Sequence, residues 1–378
     1  MRSPKFQPKL LAISDCEVQV GRSFEDFLAL GAEWDQLLAH SSADTIFLTS
    51  AWLRAWLETY GQGSNLLIPQ IRRNGKLIAA AAFRERHGII EFAGLGPSDY
   101  LDLVVSADLD EETAQHAIET VLRSAQGAVS GFRYFLLNRV PLVNGTLARL
   151  NAGLSHYHAT LLGSVLAPSM DMSAAPEKLQ KKSLRRHERD LLRQGSVDTE
   201  TFTRADEILP RLNEFFDQHI RRWQGTPYPS LFHDATARAF YEAVTRQLDA
   251  SGWLQFTQIR LDGRLVAAHF GFFHGGRFIW YKPCYEPALS KSSPGEVLIK
   301  RLIEGAQAAG ANEFDFTIGE EAFKMRFATK TRVVADIHVA NSAIGAWRRR
   351  ARLAITSRAR AALGEQTWKK IKIWLGRR

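Results

Sequence analysis

The 378-residue chain has only two cysteines, Cys16 and Cys284, too few for a disulfide framework, and no spacing of His, Cys, Asp or Glu that zinc sites use. Long apolar runs are missing too. The longest candidate, Leu77 to Phe83, lies well inside the chain and is far short of a membrane span, and no N-terminal stretch has the charged start and apolar centre of a secretion signal. No nucleotide-hydrolysis motif and no Ser-His-Asp signature is present. These absences set aside secreted disulfide scaffolds, zinc enzymes and integral membrane proteins, and they point to a cytoplasmic protein. Acidic residues are scarce in one place. From Asn341 to the end there are eleven Lys or Arg against a single acid, Glu365, so the formal charge of +9 belongs to a tail and the rest is close to neutral.

What the chain does have is a repeat. Ile71–Phe83 (IRRNGKLIAAAAF) aligns without gaps on Ile259–Gly271 (IRLDGRLVAAHFG), 188 positions later. Each segment reads as a hairpin with its turn at Asn74-Gly75 or Asp262-Gly263. In both places a third strand follows (Ile89–Gly94, Arg277–Tyr285), then a loop, a helix (Glu111–Gln126, Glu296–Ala309) and a short strand (Phe132–Asn138, Glu313–Thr317). Repetition of the whole unit means two copies of one α/β fold. Residues 1–175 form the first, 176–340 the second, and 341–378 a basic helical tail. Helical spacing also marks Phe24–His40, Ala51–Tyr60, Leu179–Gly195, Ile208–Gln224 and a segment capped at Phe232-His233-Asp234. Cys16–Val20 reads as a strand and Thr331–Ala340 as closing strands. Trp52 and Trp56 are core, or else the wall of a ligand cleft.

The copies differ at the helix after the third strand. In the second copy Ser290-Lys291-Ser292-Ser293-Pro294-Gly295 leads into the helix, and small residues there leave backbone N–H groups facing outward at the positive end of the dipole, which suits a phosphate as well as an ordinary cap. In the first copy Val105–Asp110 has no glycine and two acids, which repel such a group.

The segments LDGRLVAAHFGF (Leu261–Phe272), YEPALSKSSPG (Tyr285–Gly295), FDFTIGEEAFKMRF (Phe314–Phe327) and SLRRHERDLLRQG (Ser183–Gly195) resemble GNAT-type acyltransferases, and more closely the CelD-like acyltransferases of cellulose and exopolysaccharide biosynthesis. One departure is the loop, which offers Ser292, Ser293 and Gly295 where the superfamily has several glycines. The resemblance implies two tandem GNAT-like mixed-sheet domains, acyl-CoA (acetyl-CoA or longer) as co-substrate, no metal, and a sugar or polysaccharide precursor as acceptor. Ser292, Ser293, Pro294, Gly295 and Tyr281 fall on the donor side. Asp99, Tyr100 and Asp102 of the GPSDYLDL loop, with Arg186 of the basic helix and Glu320, fall on the acceptor side; a solvated turn and a solvated helix face are the plainer readings of the same residues.

Acyl transfer needs a base, an oxyanion partner and an acid for the leaving thiolate. Asp315, sharing a strand face with Thr317, is a base or acceptor-orienting carboxylate, or a buried ion pair with Lys324. His269 is a base or a hydrogen-bonded core histidine. Tyr285 and Tyr281 are candidate acids, and Glu320 with Lys324 forms a helix pair or part of the site. Two rival readings are a Fem-type transferase using aminoacyl-tRNA, for whose helical arm Leu179–Gly195 is short, and a non-catalytic scaffold for a polysaccharide synthase. Residues 342–378 set Trp347, Trp368 and Trp374 among cations, as a segment on an anionic membrane surface does, or a tail packed on the body; no nucleic-acid recognition motif accompanies the charge.

Overall fold

The computed structural model describes residues 16–153, 157–227, 229–342 and Gly345, so the basic tail beyond its first residues lies outside the described part. β1 (Cys16–Gly21) and α1 (Phe24–Ala39) open the chain. Ser23 and Asp26 cap α1 reciprocally, and the helix buries Phe27, Leu30, Trp34, Leu37 and Leu38. α2 (Ser50–Thr59) begins at Thr49, whose hydroxyl accepts the Trp52 N–H. Trp52 and Trp56 are fully buried core residues, their indole N–H groups donating to Ser98 Oγ and the Leu95 carbonyl. Then come β2 (Asn65–Arg73), β3 (Lys76–Ala80), β4 (Phe83–Arg86), β5 (Ile89–Phe92), β6 (Val104–Val105), α3 (Glu111–Gly127), β7 (Tyr134–Pro141), α4 (Thr146–Gly153) and β8 (His158–Asp171).

The second half runs α5 (Ala175–Leu179), α6 (Lys182–Leu192), β9 (Val197–Phe202), α7 (Ala205–Ile208), α8 (Leu212–Trp223), α9 (Ala235–Gln247), β10 (Leu254–Leu261), β11 (Arg264–His274), β12 (Arg277–Tyr285), α10 (Pro294–Ala308), β13 (Glu313–Asp315), α11 (Ala322–Phe327) and β14 (Lys330–Ala340). The expected helix Leu179–Gly195 is thus two helices broken at Gln180-Lys181. The expected start at Ile208 falls on a break as well, because Pro210 has no N–H to continue the ladder.

The repeat is built to the residue. β3 and β4 together answer to β11, since β2 pairs with both as β10 pairs along β11. The turn residues Asn74-Gly75 and Asp262-Gly263 have φ of 53 and 75° and of 48 and 77°, the left-handed pair a tight hairpin needs. A bulge interrupts each hairpin at the corresponding place, between Ile71 and Arg72 and between Ile259 and Arg260.

The strands form one sheet in the order β6-β3-β2-β4-β5-β7-β14-β8-β13-β12-β11-β10-β9, with β1 beside β2. At its centre the halves exchange their last strands. β14 lies against β7 of the first half, β8 lies against β13 of the second, and the two pair antiparallel with each other. The closing element is therefore one long strand per half. β8 gave no sequence signal because its burial follows no period of two: its middle is open and its last third is buried on both faces. The larger core runs through both halves, with Trp52 packed against Phe240, Phe272 and Tyr281. A smaller core under α10 holds Leu298, Ile303, Phe314 and Phe316. No helix among the described residues is long and apolar enough to cross a membrane.

One feature of the sheet positions the site. β12 and β13 are parallel and pair only at Arg277–Glu313, Phe278–Phe314 and Ile279–Asp315. β12 then stays with β11 through Pro283 to Tyr285, while the chain beyond Asp315 turns away at Thr317, a left-handed residue with φ of 56°.

Candidate functional site

A cleft of about 790 Å³ fills the wedge between the diverging strands, the size range of small-molecule sites. One wall is β12 from Trp280 to Tyr285, another the segment from Thr317 to Lys324. α8 contributes His219, Arg222 and Trp223, the start of α10 contributes Gly295 and Glu296, and the first half reaches in with Gly96, Asp99 and Arg139.

The helix start of α10 is sparer than its sequence promised. Ser293 caps it in the left-handed conformation (φ 47°, ψ 58°) without a side-chain bond to the helix. Pro294 is buried and has no N–H, and the Glu296 and Val297 N–H groups donate back to the Ser293 carbonyl at 2.8 and 3.3 Å. Among the described residues of this turn, the Gly295 N–H is the one without a protein acceptor. A Cβ at Gly295 would lie 3.0 Å from the Tyr285 ring, closer than side chains ordinarily pack, so the ring would have to give way. Arg222 lies over the same ring at 4.5 Å. Glu296 is the acid beside this amide, and its carboxylate is met by Arg326 at 2.6 Å and by His187 Nδ1 at 3.0 Å. Ser292 is buried and its Oγ accepts from Gln194, away from the cleft lining. Tyr281 lines the cleft, but its hydroxyl donates to the Pro97 carbonyl, and burial raises its pKa well above the usual phenol value.

Asp315 does not enter the cleft. It lines a cavity of about 50 Å³ with Tyr100, Asp102 and Arg332. Its Oδ1 accepts from the Tyr100 hydroxyl and the Thr317 N–H, both at 2.8 Å, and Arg332 stands 3.5 Å from Oδ2. Burial raises its pKa against the pull of Arg332. The expected alternation of Asp315 and Thr317 fails because the left-handed Thr317 turns the strand, leaving Thr317 in the cleft and Asp315 in the smaller cavity. Nor is Lys324 its partner: Lys324 Nζ donates to the Ile318 carbonyl at 2.6 Å, pairs with Glu321 at 3.1 Å, and lines the cleft. His269 is fully buried, stacks on Trp280, and accepts the Tyr281 N–H on Nε2 at 3.1 Å. Burial lowers its pKa to about 3, and it is a core histidine rather than a base with access to substrate.

Of the GPSDYLDL loop, Gly96 and Asp99 face the cleft, Asp99 being its one charged side chain to do so. Tyr100 is spent on Asp315. Asp102 accepts from Leu103 N–H, Thr146 Oγ1 and Asn144 Nδ2 in the small cavity, where burial pushes its pKa up to about 6. Arg186 is exposed on α6 beside His187, and Glu320 is exposed with the Leu166 N–H 3.4 Å away. The structure thus gathers Asp99, Tyr281, Tyr285, Ser293, Gly295 and Lys324, and leaves out the rest.

Among the cleft residues that went unread in the sequence are Arg139, His219, Arg222 and Lys282. Lys282 had a signal, as a lone cation inside the apolar strand RFIWYKPCY; His219 and Arg222 share a helix face that only packing against β12 identifies. His219 bonds Ser230 Oγ through Nδ1 at 2.8 Å, and burial, with Lys282 and Arg222 adding to it, lowers its pKa to about 3, so its ring is neutral. Among the described residues no group of His, Cys, Asp and Glu could hold a metal ion.

Residues 178–325 match the acetyltransferase (GNAT) domain family. No curated protein matches the chain by sequence. Among solved structures, FemX superposes with a TM-score of 0.58 at 11% identity, covering 85% of this chain and 96% of that one. The C-terminal domain (DUF2156) of a putative lysylphosphatidylglycerol synthetase from Agrobacterium fabrum gives 0.54 at 14%, covering 86% and 94%. L-PGS from Bacillus licheniformis gives 0.52 at 11%, covering 82% and 92%. At these identities the likeness is one of fold, and the fold is the doubled GNAT-like mixed sheet that the repeat predicts.

Proposed function

We propose that the chain is an acyltransferase that takes an acyl group from acyl-CoA, held in the wedge between β12 and β13, to an amino or hydroxyl group of a sugar or envelope-polysaccharide precursor. The observation that carries this is the open wedge itself, lined by a GNAT-matched half on the donor side and closed by Asp99 of the other half. In this reading the unpaired edge of β12 runs beside the pantetheine arm, and the Gly295 N–H and Arg222 meet the pyrophosphate. Asp99 takes the proton from the attacking amine as the C–N bond forms and returns it to sulfur as the C–S bond breaks; Lys324 fixes the Ile318–Glu321 elbow that walls the thioester end. The CelD-like motifs support a saccharide acceptor. We propose 1–175 and 176–340 as the limits of the two copies, joined through the exchanged strands.

Thermal stabilisation by CoA and acetyl-CoA tests the donor. Wild type is expected to gain several degrees at saturation, and Gly295→Glu, which drives a carboxylate against Tyr285 and the free amide, to lose at least about tenfold in affinity. A flat response to every CoA thioester would remove the reading. The likeness of fold to FemX favours one rival, transfer from aminoacyl-tRNA; retention of RNA on the purified chain together with a flat CoA response is its signature.

A further inference from the structure

The charged side chains in the cleft divide into spent and unspent. Lys324 is spent on Ile318 and Glu321, Arg326 on Glu296, and Glu296 on Arg326 and His187. Four others have no hydrogen bond or ion pair from their side chains among the described residues: Arg222, which lies over the Tyr285 ring on the donor side, and Asp99, Lys282 and Arg139. Arg139 is a built position, since its left-handed backbone (φ 64°) is pinned by its N–H to Asp336 Oδ1 at 3.0 Å. Lys282 projects from β12 with Nζ 4.0 Å over the Tyr281 ring. Asp99 comes from the other half on the Pro97–Asp99 segment, tied down by Tyr281 and by Trp52 through Ser98. All three line the one cleft, and Lys282 lies near enough to Asp99, Arg139 and Lys324 to feel the charge of each. With Lys324 already met by Glu321, one unpaired acid beside two unpaired cations leaves an excess of positive charge in a half-closed, largely protein-lined space, where water meets it poorly. An unmet cation pair beside an unmet carboxylate is a template for a ligand of the opposite pattern.

Resting on the acyltransferase reading, we infer that the acceptor carries an amino group close to an anionic group, the amine held by Asp99 and the anion by Lys282 and Arg139. The substrate class is an amino sugar bearing a phosphate or a carboxylate. A neutral amino sugar leaves Lys282 and Arg139 unmet, and an anionic sugar without the amine leaves Asp99 repelled and unpaired. Donor and acceptor then lie on opposite sides of the same wedge, with Arg222 and Gly295 kept for the donor.

Trp223 and Trp280 line the cleft and report occupancy by fluorescence. Four probes separate the two arms: glucosamine 6-phosphate and galactosaminuronate carry both groups, glucosamine only the amine, and glucose 6-phosphate only the anion. At least one probe with both groups is expected to bind about ten- to a hundredfold tighter than either single-group probe, and the better of the two names the anion. Lys282→Met and Arg139→Met reduce that probe to the level of glucosamine, Asp99→Asn reduces it to the level of glucose 6-phosphate, and Lys282→Arg keeps most of the preference. CoA affinity stays unchanged in all four variants, which also reports that they fold. Glucosamine binding as tightly as its phosphate, a preference that survives Lys282→Met, or no probe binding to protein that binds CoA overturns the inference and leaves the donor reading standing. A retained preference with no CoA response overturns the donor reading instead.

Discussion

In each half the third strand runs parallel to its neighbour for three residue pairs, β5 with β7 and β12 with β13, and then parts from it. The two halves treat the resulting wedge differently. In the first, the chain after β5 folds back across the gap: Leu101 is fully buried and its N–H donates to the Arg139 carbonyl at 2.9 Å, and Asp102 is locked to Leu103, Asn144 and Thr146. The helix start that follows is sealed as well, since Asp110 accepts the Thr113 N–H and Glu111 pairs with Arg149. In the second half the chain after β12 leaves through a short 3-10 turn into α10, the wedge stays open, and the helix cap makes no side-chain bond to the helix. One copy has become a plug and a wall, and the other the vessel. The loop that fills the first wedge is the same loop that delivers Asp99 into the second.

That contrast can be broken at several points. The largest effect is expected at Trp52, where the shared core joins the halves: Trp52→Ala is expected to cost about 3–5 kcal/mol, measured by chemical denaturation, in one cooperative transition. Two separate transitions would mean that the halves fold independently despite their exchanged strands.

The sealed wedge should also reveal itself through pH. Asp102 has a folded pKa of about 6, raised above its ordinary value by burial. A raised carboxyl pKa means that the folded state binds the proton more tightly, so this group leaves stability untouched below its unfolded pKa and subtracts from it as pH rises to and past 6. The subtraction is on the order of 2–3 kcal/mol by linkage. Wild type compared with Asp102→Asn, by denaturation at pH 4 and pH 7, should show that slope in wild type alone. Equal slopes would place a charged Asp102 in a solvated site.

Smaller effects distinguish the helix starts. Asp110→Ala removes a working cap and should cost about 1 kcal/mol without conferring a second CoA response, because the folded-back loop fills the space in front of α3. Ser293→Gly, at a left-handed cap whose hydroxyl bonds only the exposed Ser290 carbonyl at 3.3 Å and not the helix, should change stability by less than about 0.5 kcal/mol in either direction. Matching losses at the two caps would erase the difference between the copies.

Much of this was legible in the sequence. The gapless match of Ile71–Phe83 on Ile259–Gly271 carried the doubled fold, because hairpin turns and period-two burial are local properties of ten to fifteen residues. The acids before α3 and the small residues before α10 marked which copy keeps an open helix start. Gly295, Tyr285, Asp99 and Lys324, each lying on a recognisable loop or elbow, line the cleft. Asp315 was misplaced because facing was inferred from alternation, and a left-handed residue at Thr317 reset it, whereas His269 is the hydrogen-bonded core histidine that was one of its two readings.

By itself, the sequence determined two copies of one α/β unit, which copy has an acid-free approach to its helix, and where the excess positive charge resides. Only the tertiary structure decided that β8 and β14 change places, that the first wedge is filled while the second is open, and that Asp99, Arg139 and Lys282 meet there. Those residues are separated by tens to hundreds of positions, and their encounter is fixed by strand order and shared core packing, which no local pattern records.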